Sequence, residues 1–238
     1  MSSSSAQVLP HQKSYLDLLL ASNILAFKGP YTLKSGRKSP YFFNAGLFNS
    51  GAKVAELARC YAEEIVRSGL LGETKEEREN TVLFGPAYKG IPLATGVSLS
   101  LSLPPHSLDL GFCFNRKEKK DHGEGGTLVG APMKGKRVII LDDVITAGTA
   151  INEAVDIIKA EGGQLVGIVI ALDRQEKVKE GDETSAVGAV QQRLGTKVVS
   201  VVNLNQVIAF LEGKGMSNEV EGMKEYRQRY GVVEPASK

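Results

Sequence analysis

RVIILDDVITAGTAINE, residues Arg137 to Glu153, is the stretch whose reading decides the fold. It opens with Val138, Ile139, Ile140 and Leu141, an unbroken aliphatic run. A run with no polar alternation predicts a strand buried on both faces of a parallel sheet. Asp142 and Asp143 follow directly, then the small, hydroxyl-rich Thr146-Ala147-Gly148-Thr149, then a helical period with Ile151, Ala154, Val155 and Ile158 on one face. The order is strand, short loop, helix N-terminus. In open α/β sheets, ligands bind beyond the carboxyl ends of the strands. A helix N-terminus presents unpaired N–H groups and a positive dipole end, small residues let a phosphate approach, and Thr146 and Thr149 add hydroxyl donors. The stretch is neither a Walker loop, since no Gly-Lys-Ser/Thr follows, nor a GxGxxG turn. The Asp pair suits hydroxyls, such as those of a ribose, or a cation held nearby. Two acidic residues alone would more simply end a strand and cap a helix. The TAGT run with a helix behind it favours anion binding.

The 238 residues suffice for one large domain with a full core. Hydrophobic residues make up 42% and charged ones 24%, ordinary for a soluble globular protein, and a net charge of +2 gives no reason to expect nucleic acid. Cys60 and Cys113 form no CxxC, which predicts a reducing compartment without a disulfide framework or thiolate metal site. No apolar run is long enough to span a membrane, and the serine-rich start has neither a basic nor an apolar signal region. The expectation is a cytoplasmic protein.

Along the chain, helical spacing predicts a helix from His11 to Phe27, ended by Gly29-Pro30. Tyr31-Thr32-Leu33 and Tyr41-Phe42-Phe43, on either side of a turn segment from Ser35 to Pro40, read as a hairpin. Gly51 to Leu71 reads as a second helix with Val54, Leu57, Ala58, Tyr61 and Ile65 inward. Glu73 to Asn80 reads as a charged, solvated loop. Thr81 to Phe84 is a buried strand, followed by a Gly/Pro turn and a helix from Ile91 to about Leu101; Leu110 to Phe114 is the next strand. After the central stretch, Gly162-Gly163 stops its helix, Leu165 to Leu172 is a further strand, and a helix from Ala186 to Leu194, a strand from Lys197 to Val202 and two helical stretches complete the chain. Strands alternating with helices predict a parallel α/β sheet in one domain, residues 1–238, with no internal repeat or linker.

Two further segments carry chemistry. FGPAYKG, Phe84 to Gly90, is again strand, Gly/Pro-rich loop and helix; its N–H groups suit an anion-binding nest with Lys89 as a point charge. By itself it is an ordinary tight turn with a solvated lysine, but beside a second phosphate-type loop it fits a pyrophosphate. NRKEKKDHGEGG, Asn115 to Gly126, gathers Arg116, Lys117, Lys119, Lys120 and His122 ahead of three glycines. Such runs are usually solvated faces. The glycines would also let the segment hinge as a cationic lid, and donors aimed at charge developing in a transition state are worth about 2–4 kcal/mol each. His122 is either an exposed loop histidine or a hydrogen-bond or proton donor to a departing phosphate.

LDDVITAGTA resembles the ribose-5-phosphate loop of type I phosphoribosyltransferases, which bind 5-phosphoribosyl-1-pyrophosphate (PRPP). With it, LKSGRKSPYFFNAG (Leu33 to Gly46), FGPAYKGIPLA (Phe84 to Ala94), FNRKEKKDHGEGG (Phe114 to Gly126) and ALDRQE (Ala171 to Glu176) resemble, in order, the orotate phosphoribosyltransferase family. The likeness covers most of the chain and departs at none of these positions. It implies a type I phosphoribosyltransferase fold, a mostly parallel sheet flanked by helices, with a small N-terminal helix/hairpin hood, about residues 1–50, over the base site. It also implies that Lys34 reaches the base and pyrophosphate region, that Phe42 and Phe43 line the orotate pocket, and that Thr146 and Arg174 bind orotate's polar groups. Tyr88 and Lys89 would meet the pyrophosphate. Arg116, Lys117, Lys120 and His122 would form the catalytic lid. Asp142, Asp143, Val144, Ile145, Thr146, Ala147, Gly148, Thr149 and Ala150 would hold the ribose 5-phosphate. Family members are homodimers with shared sites and use Mg²⁺ carried by PRPP. The reaction implied converts orotate and PRPP to orotidine 5′-monophosphate and pyrophosphate, in UMP biosynthesis. A phosphoribosyltransferase for another base and a non-enzymatic PRPP sensor are the rivals; a sensor would need a partner surface or nucleic-acid module, and no basic recognition helix is present.

Overall fold

A computed structural model describes residues 7–33, 35–120, 126–146 and 148–232, without the side chains of Lys119 and Lys120. Lys34, Ala147 and His122, together with the rest of 121–125, lie outside the described residues.

The aliphatic run is the centre of the sheet. Strand β8 (Arg137–Asp142) lies between β5 (Thr81–Phe84) and β9 (Gln164–Asp173) in a six-stranded sheet of order β10-β9-β8-β5-β6-β7. The pairs among β10 (Lys197–Asn203), β9, β8, β5 and β6 (Gly111–Lys120) are parallel; β7 (Gly126–Gly130) is antiparallel at the edge. Val138, Ile139, Ile140 and Leu141 are fully buried, and the period-2 alternation of a strand divides them between two cores. Val138 and Ile140 pack with α5 (Thr149–Ala160) and α6 (Ala186–Leu194), through Ile151, Ala154, Val155, Ile158 and Val190. Ile139 and Leu141 face the opposite core, built with α2 (Gly51–Ser68), α4 (Gly90–Ser102) and α7 (Leu204–Gly213). Each such side chain contributes roughly 1.5–3 kcal/mol by burial, which explains why no polar residue interrupts the run.

The winding reverses between β5 and β8. The β5–α4–β6 unit goes one way along the sheet with α4 on one face, and β8–α5–β9 goes the other way with α5 on the opposite face. The crevice beyond the carboxyl ends of two strands at such a reversal is where open α/β sheets bind ligands. Here those ends carry FGPAYKG and DDVITAGT.

The N-terminal region differs in detail from the sequence expectation. Helix α1 (Pro10–Ala21) stops before Phe27, because Ser22 caps it and Asn23 takes a left-handed φ of 52°. Asparagine tolerates that conformation, and it turns the chain into β1 (Leu25–Ala26). Tyr31–Leu33 does not pair with Tyr41–Phe43. Instead β2 (Tyr31–Thr32) pairs with β3 (Lys38–Ser39), and β4 (Phe42–Phe43) pairs with β1. Strands of two residues carry too little period to declare their partners. A buried amide fixes α1 to the body: Gln12 Nε2 donates to Glu64 Oε1 at 3.0 Å and to the Val201 carbonyl at 2.9 Å.

The 73–80 segment is not a plain loop. Thr74 and Glu77 form a reciprocal capping box that starts a short helix, α3 (Lys75–Glu79). The charge run concealed that T-x-x-E signal. Helix α2 ends at Ser68, with Gly69 left-handed at φ 74°, and α8 (Ser217–Tyr230) closes the chain. The polar 116–126 segment begins as strand: pairing of β6 with β5 ends at Cys113, yet β6 continues to Lys120, roughly 20 Å further, paired in part with β7. A two-stranded ribbon therefore projects from the carboxyl edge of the sheet.

Candidate active site

The two βα loops meet across the reversal point. Lys89 Nζ donates to Asp143 Oδ2 at 2.7 Å. The first loop owes its tightness to two glycines: a Cβ on Gly90 would lie 2.5 Å from the Gly85 carbonyl carbon. Buried Asn115 accepts from the Ala87 N–H at 2.9 Å, and the Gly85 N–H donates to the Cys113 carbonyl at 3.0 Å, so β6 sets the loop's height. The Ala87–Tyr88 peptide is cis. Tyr88 and Lys89 face outward, with Tyr88 71% exposed.

The second loop is anchored from below. The Asp143 carbonyl accepts from the Ala171 N–H at 2.9 Å, and the buried Tyr61 hydroxyl donates to the Asp142 carbonyl at 2.7 Å. Asp142 Oδ1 accepts from the Asp143 N–H, and Asp143 Oδ1 from the Val144 N–H, each at 2.8 Å. Ile145 is buried as the loop's plug, while Thr146, Thr149 and Ala150 are exposed. Gly148 holds φ 75° at the N-cap of α5, a conformation glycine adopts without strain. The helix's own bonding begins with the Asn152 N–H on the Gly148 carbonyl at 3.0 Å, which leaves the earlier amides for a ligand.

Burial, then the neighbouring Asp143, push the Asp142 carboxyl up to about 6. Its charged form is therefore disfavoured in the fold. Stability present at low pH is lost as pH rises from about 4 to about 6, the reverse of a salt-bridged aspartate. If Asp142 acts as a carboxylate, PRPP affinity falls as pH drops through about 6. A phosphomonoester titrates near 6 as well, so the part due to Asp142 is the acid limb lost in Asp142→Asn. Pulse-free initial rates at varied PRPP from acid to neutral pH measure it. An unchanged limb in the variant would mean Asp142 takes no part.

Arg174 lies just past β9 in a second cluster under the N-terminal strands. Its Nε donates to the Tyr41 hydroxyl at 3.2 Å, its guanidinium stacks 5.0 Å from that ring, and Nη2 is 2.6 Å from Glu176 Oε1. Phe42 is exposed and stacks on Tyr31, with ring centroids 5.4 Å apart, whereas the Phe43 side chain is buried against Phe48. On the ribbon, Arg116 is half-buried and Lys117 Nζ lies 3.5 Å from Glu153 of α5 in the same chain. A separate cavity of about 290 Å³ opens between α2 and α4, lined by Phe48, Val54, Leu57 and Leu93 and, on its polar side, by Tyr88, Lys89 and Asp143. Arg174, Thr146 and Phe42 do not line it. Among the described residues no group of three or more His, Cys, Asp or Glu could hold a metal ion, and no helix is long and apolar enough to cross a membrane.

Sequence reasoning missed Asn115, Tyr61, Tyr41 and Glu176. Tyr61 stood on the inward face of its helix and Glu176 inside ALDRQE, but nothing in either pattern names a partner.

Two phosphate-type loops at the reversal of a doubly wound sheet, with an edge ribbon beside them, define the class as a type I phosphoribosyltransferase. A phosphoribosyl transferase domain model matches residues 53–200. The chain is 51% identical over 224 residues to the orotate phosphoribosyltransferase of Shigella dysenteriae serotype 1 (strain Sd197), covering 94% of this chain and 99% of that one. The crystal structure of the Francisella tularensis orotate phosphoribosyltransferase superposes with a TM-score of 0.79 at 39% identity, covering 92% of this chain and all of that one. The Mycobacterium tuberculosis H37Rv orotate phosphoribosyltransferase in complex with PRPP shares the fold, with a TM-score of 0.58 at 20% identity over 83% of this chain and 99% of that one. The chain belongs to the orotate phosphoribosyltransferase family, enzymes of pyrimidine biosynthesis.

Proposed function

We propose that the chain transfers the 5-phosphoribosyl group of Mg²⁺-PRPP to N1 of orotate, giving orotidine 5′-monophosphate and pyrophosphate. The observation that carries this reading is the Lys89–Asp143 contact across the reversal point, which puts a cationic loop and a carboxylate–hydroxyl loop within reach of one ligand. The amides and hydroxyls of Thr146 to Ala150 suit the 5-phosphate, and Asp142 and Asp143 suit the ribose hydroxyls. Tyr88 and Lys89 suit the pyrophosphate, with Lys89 exchanging Asp143 for the substrate. Mg²⁺ takes one or two carboxylates together with phosphate oxygens, a set that Asp142, Asp143 and PRPP can supply, and when bound it neutralises charge on the leaving group.

In this reading the C1–pyrophosphate bond breaks early, leaving oxocarbenium character on the ribose, and N1 of orotate attacks from the opposite face while its N–H proton passes to the released pyrophosphate or to water. Arg116, Lys117, Lys120 and His122 stabilise the departing pyrophosphate, and closure of the ribbon excludes the water that would hydrolyse PRPP. Lys34 completes the base and pyrophosphate region, and residues 1–50 form a hood over the base. The active unit is a homodimer in which the ribbon of one chain serves the other's site. The two free, buried cysteines fit a reducing, cytoplasmic compartment.

Base choice rests on Arg174, since orotate differs from uracil by a carboxylate and a guanidinium clasps a carboxylate in a bidentate way. Arg174→Ala is expected to raise the orotate KM on the order of tenfold to a hundredfold, with the PRPP KM nearly intact. Equal weakening of both substrates would contradict the assignment. The reading as a whole is tested by offering the purified enzyme PRPP, Mg²⁺ and a panel of bases: orotate should be the preferred acceptor by kcat/KM. Preference for a base without a carboxylate would replace orotate as the substrate, and PRPP binding without turnover would support a sensor.

A further inference from the structure

We infer that Glu176 is a positioning residue for base recognition: it fixes the Arg174 guanidinium and, through Arg37, ties it to the N-terminal strands. The inference rests on the reading of Arg174 as the ligand of orotate's carboxylate. Glu176 is held rigidly before its side chain does anything. Gln175 takes a left-handed φ of 52°, its N–H donates to Asp173 Oδ1 at 2.8 Å, and its carbonyl accepts from Val232 at 3.0 Å. The Glu176 carbonyl accepts from the Ala186 N–H at 2.9 Å, and Glu176 bridges Gly231 at the end of α8. The chain is thus pinned by α6 on one side and α8 on the other.

From that fixed base the carboxylate meets two guanidinium groups. Oε1 lies 2.6 Å from Arg174 Nη2, and Oε2 lies 3.8 Å from Arg37 Nη1, with all three side chains 13–14% exposed. Arg37 comes from the turn between β2 and β3. Its Nη1 also donates to the Lys177 carbonyl at 2.7 Å, and its guanidinium sits 4.8 Å from the Tyr230 ring. Tyr41 completes the set: its hydroxyl accepts from Arg174 Nε and stands 3.5 Å from Glu176 Oε1. Burial above all pushes the Tyr41 hydroxyl far up, so it stays protonated and neutral. Tyr41 and Glu176 together occupy the Nε–Nη2 edge of Arg174. Glu176 pairs with Nη2 by charge and not by a hydrogen bond, and none of these contacts engages Nη1, the end of the planar fork we assign to the orotate carboxylate. Among these contacting groups two guanidinium charges share one carboxylate, which leaves room for one more anion.

Holding is distinguishable from masking. If Glu176 holds Arg174 in place, Glu176→Gln raises the orotate KM on the order of tenfold, with the PRPP KM moving less than about twofold. Tyr41→Phe, which keeps the ring, shifts the orotate KM in the same direction by less. In an Arg174→Ala background Glu176→Gln then adds nothing further, because the group it positions is gone. A lower orotate KM in Glu176→Gln would show that the carboxylate competes with substrate, and would overturn the inference. So would an equal rise in both KM values, or full additivity with Arg174→Ala. Should Glu176→Gln not fold, an unchanged orotate KM in Tyr41→Phe overturns it. An unchanged orotate KM in Arg174→Ala alone brings down the base-site reading and this inference with it, whereas additivity brings down the inference only.

Discussion

Replacing both Asp142 and Asp143 by asparagine is expected to lower kcat/KM for PRPP by about a hundredfold or more, since two charge-assisted contacts are lost together. The fold should survive. Asparagine keeps the size and the side-chain oxygens that accept from the Asp143 and Val144 amides. Asp142 is moreover disfavoured as an anion where it sits, with its carboxyl pushed up to about 6. Removing a charge that burial penalises should leave the Tm above neutral pH unchanged or raised. The loss of the Lys89–Asp143 contact offsets little, because Lys89 is largely exposed and such pairs are worth at most about 1 kcal/mol. Steady-state kinetics beside thermal melts separate the outcomes. A double variant that melts far below the parent but has normal activity per folded molecule would make the pair structural.

The second large effect tests the proposal that each site is shared between the two chains of a dimer. Lys120→Ala and the double Asp variant should each give a nearly inactive dimer. If each site takes its carboxylate loop from one chain and its ribbon from the other, a hybrid of the two variants contains one site with both defects and one with neither. Random exchange at equal amounts makes half the dimers hybrid, so roughly a quarter of all sites should be intact. Mixing the two inactive preparations should therefore restore on the order of a quarter of the parent activity. If ribbon and loop come from the same chain, no hybrid site is whole. Absence of recovery, with exchange verified by a mass-tagged subunit, would contradict sharing. The ribbon's reach beyond the sheet is compatible with a second chain, while the Lys117–Glu153 contact shows it touching its own α5.

What was legible in the sequence follows from how local each signal is. Val138 to Leu141 announces a doubly buried strand because every residue in it meets the same demand. The loops at Gly85–Gly90 and Asp142–Thr149 are legible because small residues, acids and hydroxyls are contiguous there. Helix α6 lies where its spacing predicts, around Ala186 to Leu194, with the Ser185 hydroxyl accepting from the Gly188 N–H at its start and Gly195 ending it. The N-terminal strands pair otherwise than the sequence predicts because Tyr31–Thr32 and Phe42–Phe43 are each two residues long and choose partners by tertiary contact. The short helix at Lys75–Glu79 was hidden by its own charges. The base-site cluster was half legible. Arg174 stands out in ALDRQE, but its contact with Tyr41 spans 133 residues, and no local pattern encodes it.

The central claim, transfer of the phosphoribosyl group to orotate, is tested most directly by following the phosphorus NMR spectrum of PRPP and Mg²⁺ with the enzyme while orotate is measured in parallel. The account predicts that PRPP signals give way to pyrophosphate and a single phosphomonoester, one pyrophosphate per orotate consumed, and that PRPP persists when orotate is withheld. Pyrophosphate released without orotate consumption, or PRPP left intact in the presence of orotate, would contradict it.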